Sequence, residues 1–269
     1  MSGFAPTIAA RQPYRGADFG PALRIIRKLF SFFPYSILIS LALFSAAFCQ
    51  APPPHGDWQS FERMVRDGTL SQREGEKAVA AWARRLEKEY PPGPFGKALF
   101  FPLKGYTIKD VGGKNGEGYQ PEGYRFLDGN KHRGHPAQDI FIRDRDQDGL
   151  EDLTASPVEV LALADGVVLA AFAEWDPEGP FREIRGGNYV WIYHPALKLL
   201  SYSAHLQEVF VVPTDRVQGG RPMATLGRSG TKASLPRSPT HLHFMLVLSA
   251  TMEPVNAFPF LKSSIPSPR

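Results

Sequence analysis

The alternation of apolar and polar positions changes period near residue 95. Before that point the apolar residues recur at helical spacing. Trp58, Phe61, Met64 and Val65 fall three or four apart, which puts them on one helical stripe that closes at Gly68. Ser71 with Glu74 three residues on makes a capping-box pattern. It opens a second helix whose stripe is Ala78, Ala81, Trp82 and Leu86. "PPGP" at 91–94 stops it, because proline removes a backbone donor and clashes with the preceding turn. From about 99 the period drops to two. The predicted strands are "ALFFPL" (98–103), "DIFIR" (139–143), "EVLALADGVVLAAFAE" (159–174), "NYVWIYHP" (188–195), "LLSYSAHL" (199–206), "RPMATLG" (221–227) and "HLHFMLVL" (241–248). Gly, Pro, Asn and Asp punctuate them. The fold class predicted is mainly β, an antiparallel sheet or sandwich behind an N-terminal helical segment.

Composition changes this picture at the N-terminus. The chain has 269 residues, enough for one sizeable domain plus an extension. Arg24, Arg27 and Lys28 flank an apolar run from Leu29 to Phe48, followed by small residues and "QAPPPHG". This is a signal-peptide pattern behind a long leading tail, and the run is also long enough for an uncleaved membrane anchor. Cys49, the single cysteine, excludes an internal disulfide framework and stands where a lipoprotein cysteine could, although bulky Phe48 precedes it. The expected location is therefore exported, in the periplasm or cell envelope, with any membrane contact through residues 29–48. The expected divisions are a leader at 1–51, the two-helix segment and linker at 52–98, a β domain at 99–260 and a tail at 261–269. The net charge of +4 belongs to the leader: five of the 31 basic and one of the 27 acidic residues lie in 1–49, leaving 26 of each. No basic patch points to nucleic acid.

The candidate chemistry lies in the histidines. In "HLHFMLVL", alternation puts Leu242, Phe244, Leu246 and Leu248 on one face and His241, His243, Met245 and Val247 on the other. Two imidazoles at i and i+2 converge on one space, as metal ligands or acid/base groups. "HRGHPAQDIFI" adds His135 and Asp139, which can share a metal only if the chain bends between them, at Pro136. "LLSYSAHLQ" adds His205, with alternation grouping it with Ser201, Ser203 and Gln207, away from Leu200, Tyr202, Ala204 and Leu206. His132 reads as a solvated loop residue, and His194, before Pro195, as structural or solvent-facing. Three His/Asp ligands with an open position make a catalytic zinc site, which would leave two imidazoles for proton transfer.

"HPAQD", "SAHL" and "HLH", in this order behind a Gly-rich loop, resemble the M23 family of zinc metallopeptidases, the lysostaphin-like or LytM-type enzymes. "VLALADGVVLAAF" and "GRSG" resemble the family's intervening strand-turn-strand and its loop before the last motif. The resemblance spans about 99–260. It implies a LytM-like fold with a duplicated hybrid motif, zinc held by His135, Asp139 and His243, and catalytic imidazoles at His205 and His241. It also implies peptide-bond cleavage in bacterial peptidoglycan, in stem peptides or cross-bridges. The family usually carries Gly two residues after its first ligand, where this chain has Ala137.

A second metal signal is "RDRDQDGLEDL". Asp144, Asp146, Asp148 and Gly149 form the front half of a calcium loop, with Asp152 at its ninth position and Ala155 where the closing Glu would stand. Two readings stay open: a shortened calcium loop, and a solvated acidic turn partly neutralised by Arg143 and Arg145. Two further functions compete with an endopeptidase. One is a non-catalytic regulator of another wall hydrolase on the same fold, though such relatives typically lose ligands that are all present here. The other is a calcium-stabilised adhesion domain.

Overall fold

The computed structural model describes residues 57–268. The leader, the apolar run 29–48, Cys49 and residues 52–56 lie outside the described residues. Among those described, no helix is long and apolar enough to cross a membrane. Helix α1 (Trp58–Arg66) starts at Asp57, whose side chain accepts from the Ser60 backbone N–H at 2.7 Å. Helix α2 (Gln72–Glu89) carries the capping box read from Ser71 and Glu74 and ends at Tyr90, just before Pro91.

The described residues form nine strands: β1 (Ala137–Phe141), β2 (Glu159–Leu161), β3 (Gly166–Phe172), β4 (Asn188–His194), β5 (Leu199–Val209), β6 (Arg216–Val217), β7 (Pro222–Leu226), β8 (His241–Leu248) and β9 (Pro254–Val255). The main path of the sheet runs β1-β8-β5-β4-β3-β6. Strand β7 joins β2 to β5, and β9 pairs with β8. Every strand pairing is antiparallel, as the alternating pattern predicted.

Both faces of the central strands are buried. Leu242, Phe244 and Leu246 join Val190, Ile192, Leu199 and Leu206 in one core, closed by Phe101, Leu103, Val160 and Met223. Met245 and Val247 join Tyr189, Trp191, Tyr193 and Leu200 in the other. The second core is closed by the helices, through Trp58, Phe61, Val65, Ala78, Trp82 and Leu86. Trp58 packs edge-on against Trp82 with ring centroids 5.5 Å apart and stacks on Phe126, which meets Trp191 edge-on at 6.0 Å. Each such ring removed from water contributes roughly 1.5–3 kcal/mol. The helical segment is thus one layer of the domain.

Two segments depart from the pattern. "ALFFPL" forms no strand: Phe100 and Leu103 make single bridges to Ile265 and Val160, while Phe101 and Leu103 are buried. Pro102 lacks the N–H that a continuous ladder needs there. Helix α3 (Phe258–Ser263) straddles the boundary expected at 260 and buries Leu261 in the first core.

Candidate metal centre and cleft

Strand pairing sets the site. In the β1–β8 register Asp139 lies directly opposite His243, so their side chains leave the sheet on the same side. His243 Nδ1 is 3.1 Å from Asp139 Oδ1. His135 precedes β1, paired to Gln120 through a single bridge. His135 Nε2 nevertheless reaches Asp139 Oδ1 at 3.2 Å, so the two side chains converge as a shared metal requires. The Gly-rich loop fixes that ring, since the Gly118 carbonyl accepts from His135 Nδ1 at 2.8 Å and leaves Nε2 free to face Asp139. One donor atom from each of His135, Asp139 and His243 lies within 4.8 Å of the others. A tetrahedral zinc shell with bonds of about 2.0–2.1 Å has ligand-to-ligand edges of about 3.3 Å. The two distances from Asp139 Oδ1 come within about 0.2 Å of that, and two imidazoles with one carboxylate are a donor set that suits zinc.

His241 and His205 stand beside this trio. His241 Nδ1 donates to the Pro239 carbonyl at 2.7 Å, and Nε2 lies 3.8 Å from Asp139 Oδ1. His205 Nδ1 donates to the Ser229 carbonyl at 2.8 Å, and its ring sits edge-on to His241 with centroids 4.9 Å apart.

His205 arrives by a route that alternation does not predict. Simple alternation places it with Ser201 and Ser203, and Ser201 is buried on the far face, where its Oγ meets His194 Nε2 at 2.8 Å. The site face is instead that of Tyr202 and Ala204, with Ala204 opposite His243. The β4–β5 register jumps from Tyr189↔Ala204 to Asn188↔Leu206, which makes His205 the extra residue of a bulge, with φ of +66°. The bulge turns its imidazole back to the metal side and returns Leu206 to the first core. Left-handed backbone is uncommon for a side-chain-bearing residue and clusters at functional sites.

The electrostatics follow from one carboxylate among imidazoles. Burial acts to raise the Asp139 pKa, but the hydrogen bonds from His135 and His243 and the charge interactions with His243 and His241 overcome it, holding the group far below the usual carboxylate range. For His135 burial is likewise outweighed by Asp139, and its pKa is raised. His243 is lowered, burial being the largest cause. Burial, helped by His241 and His243, pushes His205 down to about 3.

These residues line a cleft of about 370 Å³ that also takes in His132, Arg185, Gly186, Tyr202 and Lys232. No residue of 57–90 lines it. Glu62, Val65 and Arg66 of α1 instead line a smaller cavity of about 80 Å³, which also reaches His243 and Tyr202. His132, a half-buried loop residue, sits at the cleft rim edge-on to Tyr124 at 5.0 Å, and burial lowers its pKa. His194 is structural: it is fully buried and bonded to the Asp165 carbonyl and Ser201, and burial lowers it to about 4. Arg185 and Tyr202 were not singled out from sequence, and the Gly186–Gly187 turn beside Arg185 was the available hint.

In the acidic loop three of the four aspartates converge. Asp144, Asp146 and Asp152 bring one oxygen each within 4.8 Å, but Asp148 turns to accept from the Leu150 N–H at 2.7 Å. Asp144 Oδ2 accepts from the Gly149 N–H at 2.9 Å and from Thr240 Oγ1 at 2.6 Å. That second bond ties the loop to the residue before His241. Asp144, Asp148 and Asp152 thus bond the loop's own backbone, and Asp144 also the residue before β8.

Several solved structures are similar to this chain. The catalytic domain of the antimicrobial peptidase lysostaphin from Staphylococcus simulans matches at 20% identity over 58% of this chain and 96% of that one, with a TM-score of 0.39. A putative glycyl-glycine endopeptidase lytM from Ruminococcus gnavus matches at 20% identity over 80% of this chain and 83% of that one, with a TM-score of 0.41. A zinc containing peptidase from Vibrio cholerae matches at 20% identity over 60% of this chain, which spans 40% of that one, with a TM-score of 0.38. Among curated proteins none matches in sequence. Residues 147–257 match Peptidase family M23, a span that holds His205, His241 and His243 and begins after His135 and Asp139. The first two members of the trio lie outside that span and are tied to it by strand pairing and distance.

Proposed function

We propose that the protein is a zinc metalloendopeptidase that hydrolyses peptide bonds in bacterial peptidoglycan. The observation that carries this reading is the convergence of His135 Nε2, Asp139 Oδ1 and His243 Nδ1, at spacings close to a tetrahedral zinc shell, with two further imidazoles on the same cleft. His135, Asp139 and His243 would hold the ion. When bound, zinc would polarise the scissile carbonyl and lower the pKa of a coordinated water.

The chain's own groups do the rest. His205 and His241 each give their Nδ1 proton to a backbone carbonyl, which fixes the tautomer and leaves Nε2 to exchange protons with the attacking water, the oxyanion and the leaving amine. Peptidoglycan as the substrate rests on the family match and on the leader pattern of residues 24–49, which suits a protein exported to the periplasm or envelope. The test is incubation of purified wall peptides with the full-length chain, with product analysis by mass spectrometry. Cleavage by the wild type, abolished in His243→Ala, supports the reading. Intact peptides with zinc-loaded wild type contradict it.

A further inference from the structure

The cleft lining is electrostatically lopsided. Asp139 is its sole carboxylate, and that group is already surrounded by His135, His241 and His243. Its fixed cations are Arg185 and Lys232. Among the described residues no acid lies within ion-pair distance of either, although most of the ion pairs on this molecule join neighbours a few residues apart.

Arg185 is moreover held in place. Its backbone N–H donates to Asn130 Oδ1 at 2.9 Å, and Asn130 Nδ2 donates to the Glu183 carbonyl at 2.6 Å, so the segment 126–131 clamps the turn at 183–187. Its Nη1 donates to the His132 carbonyl at 2.7 Å, on the rim of the cleft. The other guanidinium N–H groups have no hydrogen-bond partner among the described residues. A half-buried guanidinium anchored at one nitrogen and open at the rest is a preorganised fork for a carboxylate.

We infer that Arg185 is a specificity-determining residue that receives a free carboxylate of the peptide substrate beside the scissile bond, with exposed Lys232 adding positive field at the entrance. This inference rests on the peptidase reading above and narrows its substrate to acidic peptides. Arg185 is the cleft cation held in place by hydrogen bonds, and a neutral peptide would leave its fork unfilled.

The experiment uses the zinc-loaded full-length chain and two wall peptides that differ only in one carboxylate beside the scissile bond, present in one and converted to carboxamide in the other. The wild type should prefer the carboxylate peptide about tenfold or more in kcat/KM, carried mainly by KM. Arg185→Gln should collapse that preference toward unity with zinc content unchanged, and Arg185→Lys should retain part of it. Equal cleavage of the two peptides by the wild type, or an undiminished preference in Arg185→Gln, overturns the inference. If neither peptide is cut, the peptidase reading falls, and calorimetric binding of the same pair decides the role of Arg185. Tighter binding of the carboxylate form, lost in Arg185→Gln, then sustains it, and equal binding refutes it.

Discussion

At the residue scale, two kinds of histidine share one cleft, and substitution should separate them. His205→Gln and His241→Gln should keep zinc yet lose about 10²–10⁴-fold in turnover, because each removes a proton-transfer group and leaves the ligand set alone. Zinc content and cleavage rate measured on the same preparations check this, and loss of zinc in either variant would move that residue among the ligands. The spacing of His135 and Asp139, and the His241/His243 pair, could be read from the chain because each lies within one short segment. The arrival of His205 could not, since it depends on a bulge, and period-two reasoning assigns it to the wrong face. The burial of Glu62 was equally hidden. It neighbours Phe61 on the helix, its carboxylate accepts from the Tyr189 hydroxyl at 2.6 Å, and Arg66, Asp67, Tyr124 and Tyr202 surround it. Burial pushes its pKa from 4.5 up to about 7. The folded protein therefore keeps a proton that the unfolded chain releases above about pH 4.5. Stability present at low pH is lost as pH rises toward 7, on the order of 3 kcal/mol in total. Glu62→Gln should remove this dependence and gain on the wild type between pH 5 and pH 8 in urea melts; parallel profiles would contradict it.

At the scale of elements, helix α1 buries Trp58, Phe61 and Val65 against the sheet, and α2 adds Trp82 and Leu86. Phe61→Ala should cost about 3–5 kcal/mol, as expected for a fully buried ring. Ser71→Ala should cost only about 1 kcal/mol, because it removes one cap at an exposed helix start. Urea denaturation of both variants checks the ranking, and a small loss for Phe61→Ala would show that the helix is not part of the cooperative core. Both helices were readable because a capping box and a three-to-four spacing are local signals. Most strands were readable too. The short β6 and β9 were not, having two residues each and no pattern of their own, and "ALFFPL" misled because its apolar residues are buried without forming a ladder. From sequence the helices could equally have covered the site, docked on a partner or served as a spacer. That choice depends on which face they pack against, and periodicity within a helix carries no such information.

At the scale of the described unit, the helices close the second core and leave the cleft open, which fits a stabilising role and not latency. A chain starting at Pro94 would expose Leu169, Tyr189, Trp191 and Met245 together. It should lose its near-ultraviolet circular dichroism and aggregate, an outcome opposite to that of removing an inhibitory segment. A well-folded truncated chain with raised activity would reverse this assignment. The chemistry depends on the metal centre, and the metal content of the purified full-length chain, wild type beside His243→Ala, tests it. The wild type should hold about one zinc per chain and the variant a small fraction of that. A wild type that takes up no zinc after reconstitution, or a His243→Ala protein that holds as much as the wild type, would contradict it.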